Sequence, residues 1–152
     1  MSIAYLLLGS NLGNRMKNLR KAHACLNDLI GETLKTSFVY ESPSWGFEHP
    51  SRFLNQAMKI ETGLSAAELL KKILEIEEKL GRLRRKDTYE ARIIDIDILF
   101  FDDMIIQQKD LIIPHPHLHL RRFALLPLAD IDPGLIHPLM SKSIVELITA
   151  CP

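Results

Sequence analysis

Asp95 and Asp97 stand in the middle of the most apolar run of the chain, "RIIDIDILFFDD" at 92–103. A buried carboxylate without a compensating partner is costly, so two of them in such a run require an opposing charge. In a strand, residues i and i+2 project from the same face. The two aspartates therefore point together, while Ile94, Ile96 and Ile98 point the other way into a core. Their Cα atoms would lie about 6.5–7 Å apart. That spacing suits two hard cations, and magnesium shared with substrate phosphates is the usual occupant of so sparse a site. A second D-I-D, Asp130 to Asp132, is followed at once by Pro133 and Gly134 and is expected to be a turn. Asp102 and Asp103 are expected to close the strand in the same way.

Magnesium with phosphates implies basic groups close by. No G-x-x-x-x-G-K-[ST] loop occurs, and "GSNLGN" at 9–14 reads as a tight turn. Instead Arg82, Arg84, Arg85, Lys86 and Arg92 cluster just ahead of the aspartates. The planar guanidinium fork matches phosphate oxygens, and several together would offset a triphosphate. A second source is "PHPHLHLRRF" at 114–123. The alternation of His115, His117 and His119 invites zinc, but Pro114 and Pro116 prevent a regular ladder. No cysteine or carboxylate stands close in sequence, so phosphate contacts from His115 and Arg121 explain the segment better. Trp45, Phe47, Phe53 and Phe123 fall on loops or at strand starts, where flat rings can sandwich a flat ligand. Asn55, on the strand face of Phe53, can both donate and accept, as recognition of a heterocycle edge requires.

The elements that must position these groups follow from periodicity. "SIAYLLLG" reads as a buried strand ended by Gly9. From Asn14, Leu19, Ala22, Leu26, Leu29 and Ile30 follow helical spacing up to Gly31. "TLKTSFVYES" is a second strand, ended by Pro43, and "SPSWGFEHPS" a loop. "RFLNQAMKIETG" alternates as a third strand. Ser65 and Glu68 form a capping box for a helix carrying Leu69, Leu70, Ile73, Ile76 and Leu80, with Gly81 as its stop. A basic loop then leads to the strand of the aspartates. Beyond Asp103 the chain runs without a clear element to a short helix from Ile144 to Thr149. The order β-α-β-β-α-β with a C-terminal extension is the ferredoxin-like pattern of the α+β class, an antiparallel sheet with two helices on one face.

Composition sets the outer bounds. At 152 residues, 47% of them apolar and 25% charged, the chain is expected to form one domain, 1–152. Its 19 basic residues equal its 19 acidic ones, so no overall field points to nucleic acid or an anionic membrane. The N-terminal apolar run lacks a basic leader and breaks at Gly9, and no stretch approaches the ~20 residues of a membrane span. Cys25 and Cys151 offer neither metal spacing nor a disulfide framework. A cytoplasmic monomer acting on small molecules is the expectation.

With these pieces assembled, the chain resembles the 6-hydroxymethyl-7,8-dihydropterin pyrophosphokinase family of folate biosynthesis. The resemblance runs through "AYLLLGSNLGNR", "ESPSWG", "FLNQA", "LGRLRRK", "RIIDIDILFFDD" and "IPHPHLHLRRFALLPL", in family order and over nearly the whole length. It implies a ferredoxin-like fold and transfer of diphosphate from MgATP to the pterin hydroxymethyl group, with AMP released. Asp95 and Asp97 match the family's ligands for two magnesium ions, and Arg82 and Arg92 its catalytic-loop arginines. Arg84, His115 and Arg121 match ATP-phosphate contacts, Glu77 a nucleoside contact, and Ile98 the adenine packing position. Ser42, Pro43, Trp45, Phe53, Asn55 and Phe123 match the pterin pocket, with Gly9 near the pterin.

The chain departs from the family in "TYEAR", where Tyr89 and Glu90 replace the usual tryptophan and glycine, and at His117, where arginine is common. These bear on loop closure and ATP affinity rather than on the reaction. The implied mechanism is in-line attack of the hydroxymethyl oxygen on the β-phosphorus; Asp97 and a metal-bound alkoxide remain alternatives for the base. Two other classes share parts of this inventory. An RNA-binding ferredoxin-like module wants exposed aromatics on central strands and a basic surface, against the aliphatic strands and zero net charge found here. A metal-dependent phosphohydrolase could use the same carboxylates without a pterin pocket.

Overall fold

The run Ser2–Ser10 forms β1, which is buried on both faces because alternate side chains enter two different cores. Ala4, Leu6 and Leu8 face one core, and Tyr5 and Leu7 the other. The structure is a computed structural model and describes residues 1–43, 52–81 and 93–152. β1 is followed by α1 (Arg15–Leu29), β2 (Gly31–Thr36) and β3 (Tyr40–Ser42). Then come β4 (Phe53–Thr62), α2 (Ala66–Lys79) and β5 (Asp95–Phe101). β1 pairs antiparallel with β4 on one side and β5 on the other, and β2 lies outside β4. The order β2-β4-β1-β5 is the ferredoxin-like arrangement expected from the succession of elements.

Local signals set the helix ends. The Asn14 side chain accepts from Lys17 N, and the Ser65–Glu68 capping box is present with both of its hydrogen bonds. Gly81 follows α2 at φ 104°, a backbone that L side chains rarely adopt, which explains the stop. α1 and α2 press Leu19, Leu26, Leu69, Ile73 and Ile76 against one face of the sheet.

Two elements differ from the sequence expectation. The strand expected over 33–42 is broken at Ser37. Its N–H donates to Ala57 O at 2.9 Å, but its hydroxyl, rather than a backbone carbonyl, accepts from Ala57 N at 2.9 Å. A side chain inserted into the ladder bends the strand, and Phe38 beyond it is 78% exposed. The second difference is α3 (Arg122–Ile131), in a segment to which the sequence reading assigns no element and which holds Pro127 inside the helix. Proline removes one helical donor, yet Ala124, Leu125, Leu128 and Ile131 still bury a continuous apolar face. Tertiary packing outweighs the local penalty.

α3 and α4 (Ile144–Ala150) cover the second face of the sheet, over Tyr5, Leu7, Ala57, Leu99 and Phe100. The C-terminal extension is thus a whole second layer, and the sheet is sandwiched. Asp130 and Asp132 do not form the expected turn. Asp130 lies in the last turn of α3 and its Oδ2 accepts from Tyr40 Oη at 2.7 Å. Asp132 caps the helix and accepts from Tyr5 Oη at 2.7 Å. Both tie α3 to the sheet. Asp102 and Asp103 do form a turn, with Asp102 Oδ1 accepting from Ile3 N at 2.8 Å. A small hairpin, β6 (Ile106–Gln107) and β7 (Ile112–Ile113), follows. Among the described residues, no helix is long and apolar enough to cross a membrane.

Candidate active site

β5 presents Asp95 and Asp97 on the face beneath α3, while Ile96 and Ile98 sink into the opposite core at 5% and 7% exposure. The alternation predicted from "DIDI" is therefore realised. Across the sheet Asp95 lies opposite Gly9, Gly9 opposite Asn55, and Asn55 opposite Tyr40. One transverse row thus joins the acidic strand to the strands carrying Ser42 and Phe53.

Gly9 is the low point of that row. A Cβ at this position would lie 3.4 Å from both Asn55 Oδ1 and Phe53 Cδ1, so the two side chains lean over the glycine. Asn55 is buried, and its Nδ2 donates to Ser42 Oγ at 2.7 Å. That bond fixes the amide with its oxygen toward the floor above Gly9. Pro43 follows at the exposed end of β3. Phe123, in the first turn of α3, packs its edge into the core under that helix.

Arg121, just ahead of α3, spans the two parts of the site. Its Nη1 stands 3.8 Å from Asp97 Oδ2, and its Cζ lies 5.7 Å from the Phe123 ring centre. Arg121 is almost wholly buried, so its charge acts in a medium that screens poorly. It supplies an opposing charge at Asp97.

His115 is held by its backbone, which donates to Leu99 O at 3.1 Å. Its Nδ1 accepts from His117 N at 3.1 Å, so the neutral ring carries its proton on Nε2. Burial pushes the His115 pKa down to about 4; the neighbouring Arg121 and His117 charges act in the same direction and Asp95 opposes them. At neutral pH His115 is a hydrogen-bond donor rather than a cation. It borders a cleft of about 250 Å³ together with Asp97 and Ile98. Leu70 and the hairpin residues Lys109, Asp110, Leu111 and Ile112 complete that wall. Sequence reasoning did not single them out. Leu70 reads as one more apolar helix position, and only the Lys109-Asp110 turn between apolar runs hints at a hairpin.

Glu77 is not on the cleft wall. It is 1% exposed on the inner side of α2, and its Oε2 accepts from Ile96 N at 2.9 Å. Trp45 and Phe47, with Arg82, Arg84, Arg85, Lys86, Tyr89, Glu90 and Arg92, lie outside the described residues. Of the sequence-predicted groups that are described, Gly9, Ser42, Phe53 and Asn55 come together as one floor. Asp95, Asp97, Ile98, His115 and Arg121 come together beside it. Among the described residues no group of three or more His, Cys, Asp and Glu is placed to hold an ion. A pair of carboxylates facing a cleft fits magnesium, which keeps its waters and takes phosphate oxygens as the remaining ligands.

The sequence model of the "7,8-dihydro-6-hydroxymethylpterin-pyrophosphokinase (HPPK)" family matches residues 5–133. This chain belongs to that family. It is 43% identical over 146 residues to the 2-amino-4-hydroxy-6-hydroxymethyldihydropteridine pyrophosphokinase of Aquifex aeolicus, covering 96% of this chain and 90% of that one. The Bacillus subtilis protein of the same name is 43% identical over 131 residues, covering 86% and 78%. Among solved structures, wild-type HPPK-DHPS of Plasmodium falciparum superposes with a TM-score of 0.81 at 20% identity. That match covers 98% of this chain but 44% of the other, so the chain spans less than half of the solved protein and the likeness concerns the fold alone. The HPPK family thus accounts for both the sandwich of layers and the motifs strung along it.

Proposed function

We propose that Asp95, Asp97, His115, Arg121 and the Gly9–Asn55 floor carry out the reaction for which the family is named. Diphosphate passes from ATP to the hydroxymethyl group of 6-hydroxymethyl-7,8-dihydropterin, and AMP leaves. The observation that carries this reading is the transverse row Asp95–Gly9–Asn55, which sets the aspartate strand directly beside a polar, glycine-floored pocket. A hydrolase would need the first without the second.

Each group has a task that its surroundings support. Asp95 and Asp97 would hold two magnesium ions on the side of β5 facing α3. Magnesium bound there with the nucleotide neutralises phosphate charge and polarises the phosphoryl group under attack. Arg121 sets a positive charge beside Asp97 and would offer its planar guanidinium to the polyphosphate. His115 donates its Nε2–H to a phosphate oxygen without adding charge. Ile98 packs under the adenine. Asn55, steadied by Ser42, reads the edge of the pterin, and Phe53 and Phe123 bound its faces alongside Pro43 and Trp45. Arg82, Arg84 and Arg92 are assigned to the phosphates on the family resemblance. Such a reaction is driven by positioning and charge stabilisation rather than by covalent catalysis.

The test is product analysis with ATP, magnesium and the pterin alcohol. Stoichiometric AMP and pterin diphosphate are expected. Formation of ADP or free phosphate, independent of the pterin, would overturn the reading in favour of a hydrolase.

A further inference from the structure

We infer that Glu77 is a positioning residue for the metal-binding pair, acting through the backbone of β5 rather than by touching nucleotide. The inference rests on the assignment of Asp95 and Asp97 to magnesium. Ile96 is the residue between those aspartates, and its N–H belongs to the peptide that leaves Asp95. β5 ends the strand order β2-β4-β1-β5, so among the described residues no strand pairs with its outer side. Glu77 supplies one, with Oε2 2.9 Å from Ile96 N in a buried setting. The carboxylate comes from α2, whose core partners Leu69, Ile73 and Ile76 share a layer with Ile96 and Ile98. It therefore reaches the strand edge from the layer opposite to the aspartates.

The carboxyl oxygen meets the Ile96 amide at an ordinary hydrogen-bond length, which a side chain of the same reach is needed to span. This bond clamps the edge strand at one of the two peptides that link the aspartates. Two aspartates that must converge on bound ions gain most from a fixed backbone, since metal sites are tuned by the groups that orient their ligands. A helix residue behind the sheet thereby sets the separation and pitch of ligands in front of it.

Reach and charge can be separated. Glu77→Gln keeps the length and a carbonyl acceptor, while Glu77→Asp keeps the charge but is one methylene too short. The first measurement is amide hydrogen exchange at Ile96 in the metal-free protein. The second is the magnesium concentration giving half-maximal turnover, with AMP binding without metal as the control. Glu77→Asp is expected to speed Ile96 exchange and to raise the magnesium midpoint by about tenfold, the scale of a lost ligand-orienting contact. Glu77→Gln is expected to hold both close to the wild-type values, with AMP binding unaffected in either variant. The reverse ranking, with the glutamine variant impaired and the aspartate variant intact, would sink the inference in favour of direct electrostatics. Loss of AMP binding would sink it in favour of a nucleoside contact. Asp95→Asn and Asp97→Asn serve as references: if neither moves the magnesium midpoint, the metal assignment itself fails, whatever Glu77 does.

Discussion

Arg121 Nη1 and Asp97 Oδ2 face each other at 3.8 Å, the outer limit of an ion pair. At that separation the guanidinium charge offsets the carboxylate at the far end of ion-pair range. Asp97 retains 28% of its side-chain exposure, so it opens toward the cleft rather than into a sealed core. Converting it to asparagine should therefore cost little stability. We expect Asp97→Asn to lower kcat by roughly two to three orders of magnitude, the range seen when a charge-stabilising group is removed. The melting temperature should change little, and steady-state AMP production with a thermal melt checks both halves.

Arg121 is a different case, because its own charge is buried. Arg121→Ala removes the opposing charge for Asp97 and leaves packing space beneath α3. Both a higher KM for ATP and a lower melting temperature are expected. An Arg121→Lys variant should restore stability better than it restores ATP affinity, since an ammonium lacks the planar fork. Equal recovery of the two would count against a phosphate role.

Gly9→Ala tests the pocket floor. The added methyl would meet Asn55 Oδ1 and Phe53 Cδ1 at 3.4 Å, tight but tolerable contacts. The fold should therefore survive, and alanine in a strand interior is itself favoured over glycine by about 0.5–1 kcal/mol. The methyl would stand where a flat ligand has to lie. We expect KM for the pterin to rise at least about tenfold, the penalty for overfilling a packed site by 1–3 kcal/mol, with KM for ATP unchanged. Steady-state rates with each substrate varied in turn check both halves.

Ser42→Ala leaves the Asn55 amide without the acceptor that orients it. Losing the partner of a buried polar group costs about 1–3 kcal/mol. Weaker pterin binding and a lower urea midpoint should appear together. An unchanged pterin affinity would show that Asn55 is oriented by other means.

Three histidines make the fold acid-sensitive. Burial is the main cause that lowers the pKa of His23, His115 and His137. In the unfolded chain each takes up a proton near pH 6.5. In the folded chain each resists protonation, His115 down to about 4. Between those values the unfolded state binds more protons, so stability is full above pH 6.5 and falls as pH drops toward 4. Urea midpoints of the metal-free protein should decline across that window. His115→Gln should flatten the decline.

The sequence revealed groups whose consequences are local. The "DIDI" alternation, the Ser65–Glu68 box and the stop at Gly81 depend on neighbours a few residues away, and each is realised. Contacts across the fold were harder to read. Nothing near Ser37 signals that its hydroxyl will replace a carbonyl opposite Ala57, twenty residues on. Pro127 argues locally against a helix that the second core stabilises regardless. Asp130 and Asp132 looked like turn residues because their partners, Tyr40 and Tyr5, are about 90 and 127 positions away. Glu77, matched to a nucleoside contact by the family resemblance, instead bonds the Ile96 amide, 19 positions on, a partner that local pattern does not signal. Of the candidate site, the composition of both pockets was legible, but not their junction at Arg121.

The second helical layer has a consequence for biosynthesis. Every strand of the main sheet has left the ribosome by Phe101, whereas the roof over the site comes from Arg121 onward. Until α3 emerges, Tyr5, Leu7, Leu99 and Phe100 present a greasy, uncovered platform on which chaperones could act. The layer that brings Arg121 to Asp97 is thus made after every strand that it covers.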